Sequence, residues 1–508
     1  MSLAAFLVPL LALVLLVVRF GVRLWVAGLV AFILGSSLWL FVPGVEIARF
    51  PTPLVRALII SCEVALILLG AISFLEVMQR SGLSLRIKDG LQRVTGDQPI
   101  LLAFMLAWFF CAFIEGAAGF GAPAAVIAPL LLSLGYPVIL AAAMPLVGDS
   151  TAVAFGAVGT PVRVGFESLP IEGVPSVAAA LNLVAGLVPV LFLRRFVLGT
   201  LDGSAMSLRP SAEGPSTAIL AGFCLTIPAF ALSFLGPEFP SLLGSLVGLL
   251  LFGVVVAWRH RRSLTGPTSA SSLSLRDVSA LASSFSPYLL LGFGLLVGKL
   301  ALGGRKFIVE MQGNAFGVSY FQPGLVFLLV IIGLRFGAPS FRAQPLAPAF
   351  FAAARRLPPV FLAVFFMASL AQYMMTFFDP ARLSLGGVGW SPASQWGLVL
   401  FAPFVGVAGA FLSGSATVSN LLFGGILHHL SHLSGVSSTL VLSLQLVGAG
   451  AGNMIALQNL AAVQTTVGLV NAEGRLLGLL WKPCFAYAGV CGLLGALVHA
   501  GMLLVARY

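Results

Sequence analysis

Charge is scarce in this chain. Asp, Glu, Lys and Arg together make up 8% of 508 residues, against 59% hydrophobic. A soluble chain carries about 25% charge, so a water-facing globular fold is excluded. Cysteine is sparse as well. Cys62, Cys111, Cys224, Cys484 and Cys491 lie in apolar runs without metal-ligand spacing, which leaves them as packing residues rather than a disulfide framework. Histidine clusters once, at His428, His429 and His432, without the carboxylate or thiol company that a metal site needs. No His-x-x-Glu-His spacing and no acids paired in a defined motif occur, so neither an enzyme nor a cofactor is expected. The net charge of +11 raises the question of nucleic acid. Its Lys and Arg residues lie in short connections between apolar runs rather than on one face, so no nucleic-acid partner is expected.

What the chain has in abundance is apolar sequence of membrane length. Leu24 to Val42, Val174 to Leu193, Ser241 to Trp258 and Phe361 to Phe378 are each long enough to cross a hydrocarbon core of roughly 30 Å. Met1 to Val18 lacks a basic n-region and a small-residue cleavage site, and reads as the first membrane helix. The expected fold is an all-α polytopic membrane protein of about twelve to fourteen transmembrane segments, in two repeat-related halves with broken or re-entrant helices. The basic connections run from Arg80 to Arg93, around Arg194, Arg195 and Arg209, and from Arg259 to Arg276. The positive-inside rule makes these cytoplasmic. The base-free turn Pro237-Glu238-Phe239-Pro240 then falls outside, as does the amino terminus.

No soluble domain is expected at either end. Residues 1–258 read as a first membrane half, 259–284 as a polar central loop and 285–508 as a second half. A shift of 300 residues aligns Gly135 with Gly435, Leu140 with Leu440, and Leu146-Val147-Gly148 with Leu446-Val447-Gly448. It also superposes the two most irregular regions of the chain. The first, near 115–123, packs Glu115, three glycines and Pro123 into otherwise membrane-length apolar sequence. The second, near 413–420, reads Ser413-Gly414-Ser415-Ala416-Thr417-Val418-Ser419-Asn420. Downstream of each comes another interruption, near 148–160 and near 450–459. Three apolar segments separate two loops that must lie on one side, so one segment near 115–160 is expected to be broken or re-entrant.

Irregular backbone at membrane depth is tolerated only inside protein or beside a water-filled cavity. Paired interruptions in two halves point to the midplane site of a secondary transporter, where half-helix amino ends attract an anion. Gly116, Gly119, Phe120, Gly121, Ser413, Gly414, Ser415, Thr417, Ser419, Asn420, Asn453 and Gln458 are therefore the candidate substrate-binding residues. No Arg deep in the membrane is expected beside either break. A buried carboxylate is costly to ionise, which makes Glu115, Asp149 and Glu63 the candidate proton carriers. Each has a structural alternative. Glu115 would cap a half-helix through the amides of Gly116 to Ala118, Asp149 would bond Ser150 or Thr151 across its break, and Glu63 would pair with Arg56. Glu76 is expected at the interface beside Arg80, and Lys299, Arg305, Lys306 and Arg335 as snorkelling groups, with Lys299 also a candidate counter-ion.

The stretch Phe113-Ile114-Glu115-Gly116-Ala117-Ala118-Gly119-Phe120-Gly121-Ala122-Pro123 resembles the Glu-Gly-Ala-Ala-Gly-Phe-Gly-x-Pro signature of the lactate permease family. Val153-Ala154-Phe155-Gly156-Ala157-Val158-Gly159-Thr160-Pro161, Ser413 to Asn420 and Gly452-Asn453-Met454-Ile455-x-x-Gln458 are similar to its other blocks. The resemblance implies a proton symporter of lactate or glycolate in a bacterial inner (plasma) membrane, with a small organic anion, a proton and the lipid bilayer as partners. It also implies an acid at Ala416, a lysine at Asn453 and an asparagine at Asp149, from all of which this chain departs. A carrier of the same architecture for a different organic anion, a channel, and assembly as a homo-oligomer remain open at this point.

Overall fold

The computed structural model describes residues 2–505 except 43–45, 96–97, 120, 168, 202–213, 264–274, 313, 338, 343–344 and 378–391. Its apolar runs are helices, because in lipid only a helix satisfies every backbone N–H and C=O within its own segment. Among the described residues, nine helices are long and apolar enough to cross a membrane. Val138–Gly148 and Val153–Arg163, bent by 54° at the break between them, form either a tenth, broken span or a re-entrant loop. Shorter apolar helices such as Ala122–Ser133 and Leu24–Trp39 stand between them. The protein is an all-α polytopic membrane protein with one small addition, an antiparallel hairpin of Lys306–Met311 and Asn314–Ser319. Gln312 at its turn docks it onto the start of the helix Pro51–Arg80, accepting from Thr52 Oγ1 at 2.8 Å and donating to the Ala48 carbonyl at 2.6 Å.

The centre of the molecule is occupied by the spans that carry the interruptions. The most apolar windows of Pro99–Ala117 and Ser438–Thr466 are 100% and 94% buried, whereas that of the carboxyl-terminal helix Glu473–Val505 is 28% buried. Within the first of these, Phe104–Phe110 is wound as a π-helix. Glycines let the inner helices touch. Gly148 lies against the Ala107 carbonyl and Gly448 against the Pro403 carbonyl, each too close for a side chain.

The interruptions are tighter than the sequence pattern implies. Glu115 and Gly116 remain helical, and the first break is confined to the residues between the helices Cys111–Ala117 and Ala122–Ser133. In the second half only Gly414 and Ser415 leave the helix; Thr417, Ser419 and Asn420 form the first turn of Ala416–Ser434. The stretch 450–453 does not break at all, since Ser438–Asn453 is continuous and the chain turns at Met454–Ala456. Gly450 and Gly452 serve contact instead, lying 2.6 Å from the Ser150 carbonyl and 2.5 Å from the Val407 carbonyl as measured from an added Cβ. The central connection is shorter too. Helices run to Ser263 and restart at Leu275, while 264–274 and Arg209 lie outside the described residues.

Candidate functional site

Residues at or beside all four regions converge on one small cavity. Glu115, Gly119, Val153, Gly156, Ala157 and Pro161 line it from the first half, and Gly414, Ser415, Ala416, Thr417 and Asn453 from the second. Its volume is about 20 Å³, room for a single water, so an organic anion fits only if the lining moves.

The acid comes from the last turn of Cys111–Ala117. Glu115 is 3% exposed, and its Oε2 has no hydrogen-bond partner. It takes no hydrogen bond from the amides of Gly116 to Ala118, and that of Ala118 donates to the Ile114 carbonyl, so the capping alternative is not formed. Its carboxylate is instead clasped by glycines. A Cβ on Gly156 would overlap Glu115 Oε1, and one on Gly119 would lie 3.3 Å from it.

A helix start shares the cavity with the acid. Gly414 adopts a left-handed φ of 67°, and Ser415 caps Ala416–Ser434 by accepting from the Val418 amide at 3.4 Å. The first amides of that helix have no intrahelical acceptor, and Ala416 and Thr417 lie on the cavity. Asn453 ends the neighbouring helix. Its Oδ1 accepts from Asn459 Nδ2 at 2.8 Å, which leaves its own NH₂ as a donor. The cavity therefore sets a carboxyl group against a helix amino end and a neutral amide, a combination suited to one anion and one proton.

The other candidates hold this arrangement from outside it. Ser413 Oγ donates to the Gly409 carbonyl at 2.7 Å and accepts from the Ser415 amide at 3.3 Å, shaping the break. Asn420 Nδ2 donates to the Pro161 carbonyl at 2.9 Å, tying the second half's broken pair to the first's. Ser419 donates to the Gly406 carbonyl at 3.1 Å. Gln458 packs on Gly414, Gly121 stands beside Asn459, and Gly116 lies against the backbone of Ser241 and Leu242. Phe120 lies outside the described residues.

Asp149 is 1% exposed, close enough to Glu115 for their charges to interact, and neither of its oxygens has a partner. The bond to Ser150 or Thr151 is not formed; Ser150 Oγ donates to the Val147 carbonyl. Glu63 is away from the cavity and accepts from Gln322 Nε2 at 2.9 Å, while Arg56 pairs with Glu167 at 3.6 Å. The segment just past the hairpin brings a nearer donor to Glu63 than its own helix offers. Glu76 lies 3.4 Å from Arg80, as expected. His428 bonds Ser438 at 2.5 Å and stacks edge-on against His432, joining two helices.

Two charged residues escaped the sequence reading. Arg163 follows Pro161 at the end of Gly156–Arg163 with 16% of its side chain exposed, so a largely buried arginine stands beside a break. Glu238, in the turn read as an outer loop, is fully buried between Arg163 and Lys299. The usable signal was a lone carboxylate flanked by prolines with no base in its own segment, which has to find a cation elsewhere.

The sequence profile of the L-lactate permease family matches residues 2–333 and 319–501. The glycolate permease of Escherichia coli is 27% identical to this chain over 87% of this chain and 86% of its own length. The L-lactate permease of the same organism is 25% identical over 85% and 84%, and that of Bacillus subtilis 28% over 77% and 76%. Among solved structures, Neisseria gonorrhoeae MtrF covers 93% of each chain at 14% identity with a TM-score of 0.45.

Proposed function

This chain belongs to the L-lactate permease family, and from that premise we propose that it takes up a small monocarboxylate of the lactate or glycolate class by proton symport. The family is one of permeases, so the protein is a transporter and not an enzyme. The observation that carries the finer reading is the convergence of these four regions on a cavity lined both by a buried acid and by a helix amino end. An anion neutralised by one proton crosses the apolar core without net charge, avoiding the desolvation cost of an ion. Because the cavity holds only a water-sized space, binding goes with opening of the lining, and in this reading one half moves against the other about the fixed breaks. In this reading the carrier sits in a bacterial plasma membrane, the inner one where there are two, which the bacterial origin of the relatives supports.

The test is uptake of labelled lactate or glycolate into proteoliposomes, with a pH gradient imposed at zero potential. Saturable uptake that collapses without the gradient is expected; equal uptake with and without it would sink proton coupling, and linear flux would favour a channel.

The departures from the family pattern bear on the substrate. Ala416 and Asn453 line the same cavity, so the acid and the base that the resemblance implies there are missing together, a neutral exchange. Asp149, close to Glu115, supplies an acid in the first half. In this reading it takes over part of the lost ionic role. Asp149→Asn is expected to reduce the uptake rate about tenfold or more and to weaken its dependence on pH; unchanged rate and coupling would remove Asp149 from the mechanism. A larger organic acid preferred over lactate and glycolate in a competition panel would favour the alternative cargo.

A further inference from the structure

We propose that Arg163 forms a second anion site, beside the buried Pro237–Pro240 turn, which takes the carboxylate of the transported acid before it reaches the central cavity. The inference rests on the transport reading above and adds a station to it.

Glu238 is fully buried and faces two cations. Lys299 Nζ donates to both of its oxygens, at 2.8 and 3.0 Å, whereas Arg163 Nε stands 3.3 Å from one of them. The Lys299 pair alone neutralises the carboxylate, so the positive charge of Arg163 is in excess. The next acid along the chain, Glu167, is engaged with Arg56. Arg163 also has donors to spare. Nη2 reaches the Phe321 carbonyl at 3.3 Å, and Nη1 is buried without a partner. A partly desolvated guanidinium that lies over the Phe321 ring at 5.4 Å and keeps one amino group unpartnered is a receptor for a carboxylate, whose two oxygens match its geometry once Nη2 leaves the Phe321 carbonyl. When Arg163 turns to an incoming anion, Glu238 keeps Lys299 and is not left as an unpaired buried charge.

Position links this site to the central one. Arg163 ends a helix whose Gly156, Ala157 and Pro161 line the cavity. Between them Ala157, Val158 and Gly159 are all left-handed, with φ of 43°, 56° and 72°. For a β-branched residue such as Val158 this conformation is strained, and it persists only where the surroundings hold it. The surroundings here are the Pro237 backbone, against which Gly159 lies, and the Glu238 to Arg163 contact beside it. An anion that draws Arg163 from Glu238 therefore loosens the support of the segment that walls the cavity.

The experiment uses the full chain in vesicles of either orientation, with lactate and glycolate as probes. The unaltered protein must first show saturable uptake; its absence for both acids defeats the transport reading, and this proposal with it. Given that uptake, Arg163→Gln is expected to raise KM about tenfold or more for substrate presented on one face of the membrane only. KM from the opposite face stays unchanged, and the maximal rate stays within about threefold. A purely structural ion pair would lower folded yield or maximal rate and leave KM alone, and that result overturns the proposal while leaving the central site standing. If Arg163→Gln does not accumulate, Arg163→Lys keeps the charge but not the fork. It should raise KM by a smaller factor on the same face only, and an unaltered KM overturns the proposal equally.

Discussion

Glu115→Gln is expected to abolish accumulation of substrate against its gradient while sparing exchange of internal for external substrate. Glutamine keeps the shape of a protonated glutamate and its ability to hydrogen-bond, but it cannot give up a proton. A gradient of one pH unit supplies about 1.4 kcal/mol per proton, so a carrier coupled to one proton accumulates its substrate about tenfold. The variant should accumulate none. Exchange requires no net proton movement and should persist, because the cavity retains the helix start at Ala416 and the Asn453 amide. The measurement is steady-state accumulation and counterflow in the same proteoliposomes. Wild-type accumulation by the variant would remove Glu115 from proton handling. Loss of exchange as well would place it in substrate binding. Its location favours the expected result, loss of accumulation with exchange spared: the carboxyl group is buried, one oxygen is unpartnered, and Gly119 and Gly156 surround it with backbone rather than with a counter-ion.

The second large effect concerns the scaffold. Gly148 and Gly448, one shift of 300 residues apart, are the points where an inner helix in each half touches the backbone of its neighbour, at Ala107 and at Pro403. A methyl group at either would overlap a carbonyl, which cannot rotate away as a flexible side chain can. Gly148→Ala and Gly448→Ala are each expected to cost about 3 kcal/mol, the upper end of the usual cost of overpacking. That is enough to reduce folded protein in the membrane several-fold. Gly489→Ala is the control. Nothing lies within 4 Å of the position its methyl would take, and alanine is the better helix former. Folded yield and thermal unfolding of the three variants in detergent decide the matter. If the inner pair behave like Gly489→Ala, the close approach of these helices is not what the fold depends on.

The composition and apolar run length were sufficient for the membrane, the helical class and the polytopic arrangement, because bilayer thickness and backbone satisfaction leave few other solutions. The places where helices fail were legible as well, since glycine, proline and serine in a membrane-length run are costly unless they serve something. Their extent was not. Gly450 and Gly452 have the composition of a break but serve helix contact, a distinction that depends on Val407 and Ser150 lying opposite. Residue roles within the breaks followed the same rule. Gly119, Gly414, Ser415, Thr417 and Asn453 line the cavity, whereas Ser413, Ser419 and Asn420 face the backbone that supports it. A one-residue step along a helix rotates a side chain by about 100°, so neighbours in one motif point to different partners.

What the sequence determined by itself was therefore the list of irregular segments and the acids near them. What only the tertiary structure decided was which of these segments meet, and with which charges. Glu238 and Lys299 are 61 residues apart, Asn420 and Pro161 are 259 apart, and Glu63 and Gln322 are also 259 apart. In a medium with no water to satisfy them, buried polar groups take whatever partner the fold brings within reach. That partner is fixed by the packing of helices far apart in the chain, and local sequence carries no record of it.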